Sequence, residues 1–282
     1  MRIVFMMAFA IWLLVGLAKA QIDTVLIGRR TDYIQGETGG PTLNGSTPYY
    51  LFSMVDGNTL TGSELSGAPT ISGAANASFP VFDSTSHDWS YTSSGYSSLP
   101  NLVSAFPDGD YSISLPGQGT ATGITLGSTS VVNAPDLTLS GGTWINSNTY
   151  QISTSASLGV MLNNAISVGG SDQFHYDLQF VNSGLNDQNN FASAGSTPTF
   201  TDFALGTVAP GTYSLQLNFD DIQDPVNLGN GMIGSLSGLT IAGLFSTRTS
   251  LNISVVPEPS TYAVIFGAAA LTGVMLRRRR FA

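Results

Sequence analysis

Phe174-His175-Tyr176-Asp177-Leu178-Gln179-Phe180 alternates apolar and polar residues at strict period two. That period belongs to a half-buried β-strand, because successive side chains leave a strand on opposite faces. Tyr213-Ser214-Leu215-Gln216-Leu217-Asn218-Phe219 repeats the pattern, and Ser250-Leu251-Asn252-Ile253-Ser254-Val255 repeats it again. Shorter runs of the same kind cover Tyr49 to Met54, Tyr111 to Leu115, Ile124 to Leu126 and Leu137 to Leu139. Between them stand Asp56-Gly57, Pro107-Asp108-Gly109, Gly141-Gly142 and Pro210-Gly211, which supply turns. No interior stretch carries a convincing helical period. The pattern predicts an all-β protein: an antiparallel β-sandwich of jelly-roll or immunoglobulin-like type, open to division into two related β units.

The two ends read differently. Met1-Arg2 is a small positive start, Ile3 to Leu17 an apolar stretch, and Ala18-Lys19-Ala20 a small-residue cleavage site. Residues 1–20 therefore read as a signal peptide, cut after Ala20 by signal peptidase. At the other end Val256-Pro257-Glu258-Pro259-Ser260-Thr261 leads into an apolar run from Tyr262 to Leu276, closed by Arg277, Arg278, Arg279 and Arg280. The prolines keep the approach extended. The span 260–276 predicts a short transmembrane helix, and the arginines would hold its end in the cytoplasm with the body outside.

This order of polar motif, apolar helix and arginine block resembles the PEP-CTERM sorting tail of exported Gram-negative bacterial proteins. The resemblance covers only the tail, 257–282 with Val256 before it. It implies recognition by a membrane-embedded exosortase and cutting near Pro257-Glu258-Pro259. It also implies an inner-membrane anchored stage, then delivery to the cell surface or extracellular matrix, in association with exopolysaccharide. A sorting tail says how a protein is delivered and leaves open what its body does.

The body, 21–256, holds seventeen acids against Arg29, Arg30 and Arg248, a net charge of −14. The six other basic residues lie in the two end segments, so the whole chain shows only −9. Such a surface lacks the basic footprint that nucleic acid requires. It also repels acidic polysaccharide and anionic lipid unless divalent cations intervene. The chain has no cysteine, which excludes thiol catalysis and zinc–thiolate sites.

Displacing the chain by 102 residues aligns 109–141 on 211–243 without gaps, with identities that include Gly109/Gly211, Tyr111/Tyr213, Ser112/Ser214 and Leu115/Leu217. Read as a duplication, this gives two related β units with a junction near 167–171. Read as convergence, it is two similar strand–turn–strand pieces in a Gly/Ser/Leu-rich chain.

Chemistry is sparse. No G-x-S-x-G elbow is present, and His87 and His175 are the only histidines. Glutamate occurs only at Glu37, Glu64 and Glu258, and the aspartates mostly flank turns, so no glycosidase-like carboxylate pair stands out. Asp220, Asp221 and Asp224, and less so Asp108 and Asp110, offer oxygen ligands to calcium, though without an EF-hand pattern. Trp89, Tyr91 and Tyr96 fall close together in a Ser-rich stretch and could stack on sugar rings; Trp144 is a further candidate. The sequence thus points to an exported, surface- or matrix-associated, non-enzymatic protein, structural or adhesive in exopolysaccharide. The alternative is a carbohydrate-binding module using Trp89, Tyr91 and Tyr96, with or without calcium; a secreted hydrolase stands third.

Overall fold

A computed structural model describes residues 22–56, 61–63, 65–78, 81–84, 88–127, 134–163, 173–185, 188–192, 198–228 and 239–258, with 266–267 and 270–271. Among the described residues the fold is almost wholly β. Its first half contains β1 (Thr24–Ile34), β2 (Thr42–Leu43), β3 (Tyr49–Asp56), β4 (Thr70–Gly73), β5 (Ala77–Ser78), β6 (Val81–Asp83) and β7 (Asp88–Thr92). A short helix α1 (Leu99–Ala105) then leads to β8 (Gly109–Leu115) and β9 (Gly119–Leu126). The second half contains β10 (Leu137–Ser140), β11 (Thr143–Asn146), β12 (Thr149–Ser153), β13 (Ser157–Leu162), β14 (Gln173–Val181), β15 (Gln188–Ala192) and β16 (Phe203–Ala204). A single 3-10 turn, Leu205–Thr207, precedes β17 (Gly211–Leu228) and β18 (Leu239–Val256).

The spine is the antiparallel pair β17–β18, each strand eighteen residues long and so about 60 Å at ordinary strand rise. Its length lets it serve two cores. The first part of β18 pairs in parallel with β1, from Thr24↔Thr240 to Ile34↔Ser250, and its end pairs in parallel with β12, from Thr149↔Asn252 to Ser153↔Val256. The resulting main sheet runs β15-β14-β17-β18-β1-β3-β7-β6, with β2, β11 and β12 attached, and is partly curled in the manner of a half-barrel. Two smaller sheets complete the described fold, β5-β4-β8-β9 and β10-β13-β16. One core gathers Val25, Ile27, Leu51, Val55, Ile71, Ile113 and Ile124 with Leu102 of α1. The other gathers Tyr150, Leu158, Tyr176, Leu178, Leu217, Phe219 and Ile253.

The jelly-roll or immunoglobulin-like antiparallel sandwich is therefore corrected. Alternation tells which side chains of a strand are buried, but the same alternation serves a sandwich or a curled sheet. It is equally silent on direction, and β18 makes two parallel pairings across long sequence separations. α1 was also unforeseen. Seven residues are too few to show a helical period; what makes the helix is a Ser98 cap, whose Oγ accepts from the Asn101 amide, and Pro100 in the first turn.

The transmembrane helix expected over 260–276 is corrected too: among the described residues no helix is long and apolar enough to cross a membrane. Of that span only Phe266, Gly267, Ala270 and Leu271 are described, helical and exposed. A run this short, interrupted by Gly267 and Gly273, falls below the ~20 residues that cross a bilayer core. The membrane as a partner and the inner-membrane anchored stage fall with that helix. Nothing among the described residues supports signal peptidase or an exosortase as partners. Residues 1–20, Pro259, Ser260, Arg277 to Arg280 and the junction near 167–171 lie outside the described residues.

Residues 109–115 and 211–217 do occupy similar places. Tyr111 Oη donates to the carbonyl of Pro107 and Tyr213 Oη to that of Ala209, both at 2.7 Å. Each corner follows a short helical turn ending on a buried residue, Phe106 or Val208. The sheet orders β5-β4-β8-β9 and β15-β14-β17-β18 then match position for position. The ungapped alignment goes no further. Pro116-Gly117, with Gly117 at φ +85°, turns β8 back into β9, whereas 218–228 continue within β17, with a register shift between Gln223 and Val226.

Candidate functional site

In the main sheet the core takes Tyr176, Leu178 and Phe180 of β14 and Leu215, Leu217 and Phe219 of β17. The alternate positions must then face the other way. In-register pairing sets these outward residues in two rows. The first runs Tyr50, Arg30, Ser246, Asp220, His175 across β3, β1, β18, β17 and β14. The second, two residues along, runs Asp32, Arg248, Asn218, Asp177. Four inter-strand steps make the longer row about 19 Å.

These groups hold one another. Arg30 Nε lies 2.8 Å from Asp32 Oδ1, an ion pair whose angle falls short of a hydrogen bond, and its guanidinium sits 5.2 Å from the Tyr50 ring centroid. Arg248 Nε donates to Asn218 Oδ1 at 2.6 Å, and Asn218 Nδ2 donates to Asp177 Oδ2 at 3.1 Å. Gln179 Nε2 also donates to Asp177, and His175 Nδ1 meets Asp220 Oδ2 at 3.1 Å. Burial holds the Arg248 guanidinium below its ordinary pKa and Arg30 pushes the same way, while Asp32, Asp220 and Asp177 oppose. Two cations and three carboxylates thus share one half-buried surface, with Asn218 and Ser246 buried between them. Beside Tyr50 on the same face, Phe52 reaches over Gly28 into space that a Cβ there would occupy, with Leu244 on the other side.

The aromatic trio lies elsewhere. Trp89 and Tyr91 sit on β7 opposite Val55 and Ser53 of β3, and with Tyr96 they are half-buried against the first core. Trp89 meets Phe82 at 5.6 Å between centroids, and Tyr96 meets Phe106 edge-on at 6.3 Å. Burial, with Tyr96 alongside, raises the Tyr91 pKa. Trp144 packs against the second core, edge-on to Tyr150 at 5.3 Å. Among these residues packing accounts for the rings, and no loop platform joins them. His87 lies outside the described residues.

The acids read as calcium candidates are dispersed. Asp220 faces outward to His175, whereas its neighbour Asp221 is fully buried on the opposite face of β17; nothing is described of the Asp224 side chain. Asp108 pairs with Arg29, and Asp110 accepts from Thr125 Oγ1 at 2.8 Å. Among the described residues no group of three or more His, Cys, Asp or Glu is placed to hold a metal ion. Asp110, Tyr111, Ser112, Thr122 and Gly123 line an open depression of about 380 Å³ at the β8–β9 bulge.

Sequence reading missed Arg29. It is 3% exposed, with Nη1 2.6 Å from Asp108 Oδ1 and 3.3 Å from the Gly127 carbonyl, and Nη2 2.7 Å from the Phe106 carbonyl. It ties β1 to the corner before β8. Gln35 does the same between halves, exchanging hydrogen bonds with the Leu137 backbone and donating to Asp136. The available signal was the alternation Val25, Ile27, Arg29, hidden because Leu26 and Gly28 blur the period.

The fold and site define a mostly β, two-core protein with a polar face on its curled sheet. No family model matches the chain, and no curated protein matches it.

Proposed function

We propose that this protein is an exported, non-enzymatic component of the cell surface or extracellular matrix, structural or adhesive within exopolysaccharide. The observation that carries the reading is the broad outward face of the main sheet, where polar groups are held by one another along strands rather than converging in a cleft. The row Ser246–Asp220–His175 contains the residue types of a hydrolytic triad in the wrong order. A serine must lie beside the histidine that takes its proton; here Asp220 stands between them and separates the two by two strand steps, about 10 Å. Rigid strands holding a fixed polar surface suit binding and assembly. The Val256 to Ser260 motif, through its resemblance to the PEP-CTERM tail, supports export, and the acidic body supports solubility outside the cell.

Fractionating the producing cells tests this. The protein should be found with the surface and extracellular polysaccharide. Wild-type protein confined to the cytoplasm would refute the reading.

A further inference from the structure

We propose that the outward face built by Tyr50, Phe52, Arg30, Asp32, Asp177 and Asp220 binds a neutral polysaccharide. This rests on the matrix role proposed above and adds to it a ligand class and a place.

Charge comes first. The face carries Arg30 and Arg248 against Asp32, Asp177 and Asp220, and each guanidinium already stands beside a carboxylate or an amide that shares it. Two cations against three carboxylates leave one net negative charge, which together with the body's net −14 opposes a polyanion. The partner that fits is polar, uncharged, and able both to donate and to accept.

Geometry narrows it further. In the second row a carboxylate, a guanidinium, an amide and a carboxylate (Asp32, Arg248, Asn218, Asp177) follow one another at the inter-strand spacing of about 4.8 Å. Each is a planar group with two adjacent hydrogen-bonding atoms, so it can bridge neighbouring hydroxyls on one sugar ring. The groups are also fixed beforehand by their mutual hydrogen bonds, which limits the ordering cost of binding. The longer row extends about 19 Å and the shorter about 14 Å, so the ligand is an extended chain rather than a single ring.

Aromatic residues supply the other half of sugar recognition. Tyr50 and Phe52 are successive outward positions of β3 at the border of the rows. Gly28 is what makes room there: a Cβ would stand 2.6 Å from the Phe52 ring and 2.7 Å from Leu244. Its absence lets the ring lie across β1 beside Arg30. An apolar ring next to a polar row offers the two surfaces that a pyranose presents, its C–H face and its hydroxyl edge.

The test is affinity electrophoresis of the full chain through gels containing dextran, β-1,3-glucan or galactomannan as neutral probes, or alginate as the anionic one. Retardation by at least one neutral probe and none by alginate is expected. Tyr50→Ala and Asp177→Ala should each weaken that retardation by about ten-fold or more in Kd, while Trp89→Phe leaves it unchanged. Thermal unfolding of each variant separates a lost contact from a lost fold. If Asp177→Ala unfolds, Tyr50→Ala and Asp32→Asn carry the test. No retardation by any neutral probe, retardation by alginate alone, or equal retardation of folded face variants would overturn the proposal. None of these results bears on where the cell delivers the protein, so the matrix reading stands or falls separately on fractionation.

Discussion

Replacing Arg29 by alanine should destabilise the first core by about 2–4 kcal/mol, and the sum can be built from its contacts. The Phe106 carbonyl is buried and receives Nη2 at 2.7 Å; leaving such an acceptor without a donor costs about 1–3 kcal/mol. The Asp108 carboxylate is different, because its side chain is 42% exposed and water can take the place of Arg29. Solvent screening reduces that pair to about 0–1 kcal/mol. Lost packing of the aliphatic stem beside the core adds the remainder, and the total reaches only the lower part of the 3–5 kcal/mol or so seen when a wholly buried pair is broken. Asp108→Asn should consequently cost about 1 kcal/mol or less. Urea unfolding followed by tryptophan fluorescence reads this directly, since Trp89 reports the first core and Trp144 the second. In a Trp144→Phe background the Arg29→Ala transition should move to lower urea with its slope kept. A loss under 1 kcal/mol, or equal losses for Arg29→Ala and Asp108→Asn, would refute the reasoning that the buried carbonyl dominates.

Other outcomes follow from the same contacts. Tyr111→Phe should cost about 1–2 kcal/mol and Tyr213→Phe about 0.5, because Tyr111 is buried while the Tyr213 hydrogen bond is exposed; urea midpoints check the ranking. Gly141 holds φ +94° with the Ser157 carbonyl 2.0 Å from where a Cβ would stand, so Gly141→Ala should lower stability by about 2 kcal/mol or more, read by thermal unfolding. Burial raises the pKa of Tyr33, Tyr91, Tyr111 and Tyr176 above 10.0. Above that pH the unfolded chain loses phenol protons that the folded one keeps, so stability falls as pH rises. It should therefore be flat with respect to these groups below pH 10.0 and decline beyond it, with phenolate absorbance at 295 nm rising late and together with unfolding.

Local pattern made some of this legible. Tyr176, Leu178, Phe180, Leu215, Leu217, Phe219, Leu251, Ile253 and Val255, from the apolar halves of the three alternating stretches, are buried in one core, with Tyr213 partly buried against it. A strand with one wet face writes its period into its own residues. The partners of a strand leave no such mark, so nothing near Thr24 indicated that it lies beside Thr240. β1 was further hidden because Gly28 faces Phe52 and Leu244 rather than open water and Leu26 is apolar as well, which removes the polar half of its period. The candidate face was illegible for the same reason: Arg30, Arg248, Asp220 and His175 come from four strands and meet only through register. The aromatic trio was legible in the sequence but its packing was not. Trp89, Tyr91 and Tyr96 are close in sequence, but period two on β7 turns Trp89 and Tyr91 inward together. Tail residues with an apolar run were equally open to a spanning helix on composition alone, and length is the quantity that run lacks.

The central claim is most directly tested by where the protein resides in the producing culture and what keeps it there. Cells expressing wild-type or Asp177→Ala protein are separated into cytoplasm, washed extracellular polysaccharide and clear medium, and the protein in each is quantified by immunoblot. The account predicts wild-type protein in the polysaccharide fraction and folded Asp177→Ala protein shifted to the medium. Wild-type protein in the cytoplasm, or a folded variant retained by the polysaccharide as fully as wild type, would contradict it.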